Sequence, residues 1–340
     1  MSIFATGNYE FNIDRMEYKN ICIIGAGAIG TALGNALAVR TDLTVRLLSI
    51  EEEVVNSISR EHINQKYFPN LRLNPRLMAT TNEMVLEDAD IIFLAIPSVS
   101  TEEYVLHHRK RISDKAILVN LAKGFGADNK TIAESLNAQS DLCVCSLKGP
   151  TFAREIINNI PTAFTLGAPD ETLFHVFASI FEDTNIYLDY STDIRGVEIL
   201  SIIKNIYAII MGIVDANFNS PNLRFMVLTK AFNEMRRILI FAGGREETMF
   251  NYCGIGDFGL TALNDLSRNR TLGLLIGKGF FTTDIPDKVV LEGKIAVNVF
   301  IDELKKKKMP EENYFLMNEL YKVFNEAYDV STFVSKVISR

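Results

Sequence analysis

Short apolar runs alternate with helically spaced segments over the first half of the chain. Asn20–Ile24, Leu43–Leu48, Ala89–Pro97, Lys115–Ala122 and Leu142–Leu147 are compact runs that predict buried strands. Between the first two, Thr31-Ala-Leu-Gly-Asn-Ala-Leu-Ala38 carries its apolar residues at helical spacing. Strands alternating with helices predict an α/β unit with a doubly wound, mainly parallel sheet. After about residue 193 the periodicity becomes helical and strand-like runs largely disappear. The pattern therefore divides the chain into an N-terminal extension (1–19), an α/β unit (20–193) and an all-α unit (194–340).

One position breaks the pattern. Val197–Val214 is apolar on most sides of a helix, yet Lys204 stands in its middle with Asn205 beside it. A fully buried lysine is rare unless paired or used. Its helical neighbours Leu200, Ser201, Tyr207 and Ala208 include no carboxylate. Either a distant acid pairs with Lys204, or its ammonium faces a cleft and handles a substrate.

The first predicted strand runs into Gly25-Ala-Gly-Ala-Ile-Gly30 and then into the first predicted helix. In this setting Gly25 permits a tight turn, Gly27 lets a pyrophosphate approach the backbone, and Gly30 lets helix and strand pack closely. The helix N-terminus adds free amides and a positive dipole. The segment predicts a bound dinucleotide. Glu51, 21 residues after Gly30, stands where an acid hydrogen-bonds the adenosine ribose. No Arg or Lys lies between Leu47 and Ser59. Both features favour NAD over NADP; the bland alternative is that Glu51-Glu-Glu53 simply opens a helix. Pro97, Lys123 and Gly149–Thr151 follow predicted strands, at the rim where such sheets bind ligands.

Composition narrows the partners. A formal net charge of −7 over 340 residues argues against nucleic acid and anionic membranes. No run of about 18 uncharged apolar residues is present, so no membrane insertion is expected. The first twenty residues lack the apolar core of a secretory signal. Four cysteines without metal or redox spacing fit reduced thiols in a cytoplasmic protein. No His, Cys or carboxylate cluster has metal spacing, so no metal is expected. The four histidines have no partner motif, and His107-His108 reads as a solvated helix end.

Several segments together resemble the NAD(P)-dependent sn-glycerol-3-phosphate dehydrogenases. They are Gly25–Leu33, Leu121–Gly124, Lys148-Gly-Pro-Thr-Phe-Ala-Arg-Glu155, Gly196–Glu198 with Lys204-Asn205, Gly254–Asp257 and Leu266–Arg270. They occur in the family's order from about residue 20 onward. The resemblance implies a Rossmann-type N-terminal domain, a helical substrate domain, a small anionic phosphorylated substrate and a homodimer.

The resemblance also implies roles. Lys204 would be the proton donor and acceptor. Lys123 would bind and orient substrate beside the cofactor. Gly149, Thr151, Asp257, Ser267, Arg268 and Asn269 would meet substrate. Ala28, Ile29, Ala153, Arg268, Val290 and Glu292 would lie against the cofactor. The chain departs from bacterial wording at Ala28-Ile29, where Ser-Trp is common, and at Ile50, where an Arg is often found. It also departs after Asp257, in Phe258–Asp265.

The chemistry expected is reversible reduction of dihydroxyacetone phosphate, with a lysine quenching the charge that grows on the carbonyl oxygen. Burial and neighbouring cations, Lys123 and Arg268, would lower the Lys204 pKa. Two other readings remain open: a related NAD(P)-dependent reductase acting on a different phosphorylated or carboxylated polyol, and a non-catalytic dinucleotide sensor.

Overall fold

The structure is a computed structural model. It describes the backbone of residues 18–280 and 287–340, and the side chains of 18–280 and 293–340. The main sheet has eight strands: β1 (Asn20–Ile24), β2 (Thr44–Leu48), β5 (Met78–Thr80), β6 (Ile91–Leu94), β7 (Ile117–Asn120), β8 (Cys143–Lys148), β9 (Thr162–Gly167) and β10 (Ile186–Ser191). Their spatial order is β10-β9-β8-β7-β6-β1-β2-β5. Two short strands, β3 (Ile63–Asn64) and β4 (Phe68–Arg72), form a separate antiparallel hairpin. Six helices accompany the strands: α1 (Ala28–Leu37), α2 (Glu52–Glu61), α3 (Ser98–His107), α4 (Ile132–Gln139), α5 (Ala153–Ile157) and α6 (Glu171–Phe181).

All ladders in this sheet are parallel except β8–β9, which is antiparallel. The central strands β6 and β7 are buried throughout, which explains their continuous apolar runs. Separate apolar clusters cover the two faces. One holds Ile21, Ile23, Phe93 and Phe177; the other holds Cys22, Ile24, Ile92 and Leu136. Alternate residues of β1 and β6 feed opposite clusters, as the period of two requires.

Past Ser191 the described residues contain no strand. Among the described residues seven α-helices follow: α7 (Ile194–Asn217), α8 (Pro221–Phe241), α9 (Asp257–Leu263), α10 (Arg268–Gly277), α11 (Asp287–Lys306), α12 (Phe315–Asn325) and α13 (Val330–Ser339). Their shared core gathers around α7, where Ile199, Ile203, Ile206, Ile210 and Ile213 are buried. Asp193 caps α7 by accepting from Gly196 N at 2.9 Å, and the same carboxylate accepts from Arg245 N and the Thr248 hydroxyl. The close crossing of α7 and α10 needs Gly212 and Gly273. A Cβ on Gly273 would run into the Ile209 carbonyl, and one on Gly212 into that of Arg270.

One expectation from the sequence is qualified here and one changes. Helix α7 is long and apolar enough, by length and composition, to cross a membrane. Its apolar window is 94% buried inside the fold, as the central helix of a packed domain. His108 is buried rather than solvated. It stacks on Tyr104 one turn back, and its ring nitrogens meet the Tyr104 carbonyl and Glu83, both at 2.9 Å.

Candidate active site

The glycine loop connects β1 to α1 as the sequence predicts. Gly25 has φ +106°, and a Cβ there would lie 2.7 Å from the Ala95 carbonyl oxygen. A Cβ on Gly30 would strike the Gly25 carbonyl. Above Gly27 there is open space, with no heavy atom within 4 Å of the Cβ position. Gly27 is also the N-cap of α1, without a capping side chain and without an acid in the first turn. The first amides of α1, including those of Ala28 and Ile29, therefore lack a helical partner. Open room, free amides and a helix dipole fit a pyrophosphate.

Glu51 is the N-cap residue of α2 but makes no capping bond. Its carboxylate pairs instead with the Lys66 ammonium, which the β3–β4 hairpin carries across. The absence of a cation close in sequence therefore does not mean the absence of one in space. Pro97 is the exposed N-cap of α3 at the next strand end.

Beyond β7 and β8 the structure gathers the predicted polar residues. Lys204 is 3% exposed on α7. Its ammonium pairs with Asp257 Oδ1 and donates to Thr261 Oγ1 at 2.9 Å. Lys123, which follows β7, donates to Asp257 Oδ2 at 3.1 Å and reaches the Gly149 carbonyl at 3.5 Å. One carboxylate thus bridges two ammonium groups. Asp257 opens α9 directly after a π-helical turn, Tyr252–Gly256, of the kind often found at functional sites. It is 1% exposed and serves the lysines rather than the helix end.

This setting tunes Lys204. Burial pushes its pKa down to about 7; Asp257 opposes that fall and Lys123 adds to it. A group near 7 exchanges protons readily at neutral pH. A third buried lysine, Lys148, ends β8 and donates to the Asn120 carbonyl at 2.7 Å. Burial lowers it to about 7 as well, opposed first by Glu198. Glu198 in turn accepts from Asn120 Nδ2, from the Ser146 hydroxyl at 3.0 Å and from Ala133 N at 3.0 Å. The sequence reading assigned no role to Thr261, Lys148, Asn120 or Glu198. The one available signal was a lysine closing an apolar strand. Thr261 is legible only as one helical turn beyond Asp257.

The remaining predicted residues divide. Thr151 lies beside Gly149, its hydroxyl donating to the Gly149 carbonyl at 3.2 Å. Ala153 opens α5. Ser267 caps α10 by accepting from Arg270 N at 3.3 Å. Arg268 opens the helix, exposed and without an ion pair among the described residues. Asp265 pairs with Arg270 at 3.2 Å. Asn269 is half-buried between them. Val290 and Glu292 fall within α11 but lie outside the residues whose side chains are described. Among the described residues no group of three His, Cys, Asp or Glu is placed to hold a metal ion.

Known proteins match this arrangement along nearly the whole chain. The profile of the NAD-dependent glycerol-3-phosphate dehydrogenase N-terminus matches residues 20–174, and that of the corresponding C-terminus matches residues 193–335. A glycerol-3-phosphate dehydrogenase [NAD(P)+] of Methanothermobacter thermautotrophicus is 36% identical over 76% of this chain and 80% of its own length. One of Neorickettsia sennetsu is 31% identical over 94% and 93%. The crystal structure of the Coxiella burnetii glycerol-3-phosphate dehydrogenase superposes with a TM-score of 0.84 at 27% identity, covering 95% of this chain and all of that one. A ketopantoate reductase from Ralstonia eutropha, at TM-score 0.51 and 14% identity, shares the fold alone. The chain belongs to the NAD(P)-dependent glycerol-3-phosphate dehydrogenase family.

Proposed function

We propose that the chain interconverts dihydroxyacetone phosphate and sn-glycerol 3-phosphate, with Lys204 exchanging the proton. The observation that carries this reading is the buried Lys204 ammonium, paired with Asp257, held by Thr261 and tuned to about 7 at the strand-end rim. The nicotinamide cofactor, when bound on the glycine loop, supplies or accepts the hydride. As hydride reaches the carbonyl carbon, negative charge grows on oxygen, and the Lys204 ammonium donates its proton there. In the oxidative direction neutral Lys204 takes the hydroxyl proton. Thr261 fixes the ammonium's direction, because its own hydroxyl hydrogen is committed to the Asp257 carbonyl at 2.7 Å. Lys123 and the Gly149–Thr151 turn orient the substrate. The free guanidinium of Arg268 offers a planar fork to the phosphate.

Residues 20–193 would hold the cofactor and residues 194–340 the substrate; β10 ending at Ser191 and α7 beginning at Ile194 support that division. A cytoplasmic homodimer completes the proposal. Its four cysteines are free thiols, three of them buried. Elution at twice the chain mass would support the dimer.

The test is NADH oxidation by purified protein with dihydroxyacetone phosphate, wild type beside Lys204→Met. The reading predicts turnover in the first and its loss in the second, with NADH binding retained. Turnover on a different carbonyl only, or undiminished turnover in the variant, would overturn it.

A further inference from the structure

The β3–β4 hairpin lies outside the main sheet but is anchored to the cofactor cradle. Its fully buried Asn64 donates to the Ala26 carbonyl at 3.0 Å and to the Thr31 hydroxyl at 2.8 Å. Ala26 lies inside the glycine loop and Thr31 on α1. The turn of the hairpin therefore has a fixed place, and it presents Lys66. The Lys66 ammonium meets the Glu51 carboxylate and lies 5.5 Å from the centre of the Tyr67 ring. Glu51 occupies the position after the second strand where an acid meets the ribose 2′-hydroxyl and repels a 2′-phosphate.

We propose that Lys66 is the residue that decides between the two dinucleotides. Its ammonium cancels the Glu51 charge at the adenosine ribose and receives a 2′-phosphate, so that the chain accepts NADP(H) as well as NAD(H). The proposal rests on the dehydrogenase reading for the place of the cofactor, not for the reaction. An unpaired Glu51 would repel a phosphate dianion, whereas the pair presents no net charge. Lysine serves phosphate as a compact point charge. The two side chains are 53% and 41% exposed, so the ion pair is a weak one. The ammonium can swing from carboxylate to phosphate without leaving a charge buried and unpaired. Ile50, 91% exposed, supplies no polar group there.

The test is fluorescence titration of the full chain with NADPH and NADH, with displacement by 2′-phospho-ADP-ribose and by ADP-ribose. Lys66→Gln should weaken NADPH and the phosphorylated competitor about tenfold while leaving NADH within about twofold. Glu51→Gln should tighten NADPH, and Lys66→Arg should preserve it. Retained NADH binding certifies the fold of the Lys66 variants, and an unchanged thermal midpoint that of Glu51→Gln. Unchanged NADPH binding in Lys66→Gln, or an equal loss for both dinucleotides, would overturn the proposal. Binding is read without turnover, so failure to reduce dihydroxyacetone phosphate would count against the reaction and not against Lys66.

Discussion

Lys204 and Asp215 stand on the same helix, about three turns apart, and at each a buried aspartate is shared by two cations. At the first, Asp257 from α9 is shared by Lys204 and Lys123. At the second, Asp215 accepts from Arg224 Nε at 2.9 Å and from Arg270 Nη1 at 2.5 Å. The sharing of a buried carboxylate is alike and the chemistry is not. Guanidinium groups stay protonated under all ordinary conditions, so the second cluster can only tie α7, α8 and α10 together. Ammonium groups yield their proton when buried, and Lys204 falls to about 7. The identity of the cation, more than the degree of burial, separates a fastening from a site able to exchange a proton.

The comparison can be broken at either end. The largest effect is expected from Lys204→Met. It should cost about a thousandfold in kcat, the scale of a lost general acid, with the thermal midpoint and NADH affinity nearly unmoved. A large stability loss with kcat preserved in the folded fraction would make the two clusters alike. Arg270→Met should behave in the opposite way. It leaves Asp215 and Asp265 short of a partner, and urea unfolding should report a loss of about 3 kcal/mol. An unchanged midpoint would mean that the second cluster fastens nothing.

Smaller effects sharpen the tuning. Asp257 holds the Lys204 pKa up and Lys123 pushes it down. Asp257→Asn should therefore move the loss of reductive kcat/KM to lower pH, and Lys123→Gln should move it to higher pH. Shifts in the same direction would refute the assignment. The least effect is expected at Lys148, whose ammonium braces the Asn120 carbonyl three residues before Lys123. Lys148→Met should raise KM for the phosphorylated substrate by about threefold with kcat retained, a loss of positioning alone.

The sequence carried the first cluster better than the second. Lys204 stood out because a charge interrupts an apolar helix, and Lys123 and Asp257 because motifs flank them. Their convergence on one carboxylate was not legible, since 134 residues separate Lys123 from Asp257. The two arginines of α10 have different surroundings for a simple geometric reason. Arg268 and Arg270 differ by two positions, which on a helix point to different sides. Asp265 meets the one that turns inward. The strands β1, β2, β6, β7 and β8 match the apolar runs that predicted them to within three residues at either end, because burial on both faces leaves a continuous signal. The β3–β4 hairpin has no such signal: most residues of its short strands are exposed or half-buried. Lys66 therefore reaches Glu51 unannounced, 15 residues along the chain.

The central claim is that Lys204 itself carries the proton in both directions. It is tested most directly by the pH dependence of kcat/KM, which reports ionisations of the free enzyme, measured for reduction and for oxidation. Below about 7 Lys204 is an ammonium and can donate; above it the amine is neutral and can accept. The account predicts that reduction falls and oxidation rises with pH through that same region, and that both limbs vanish in Lys204→Met. Limbs of the same sign in the two directions, or limbs that survive the substitution, would contradict it.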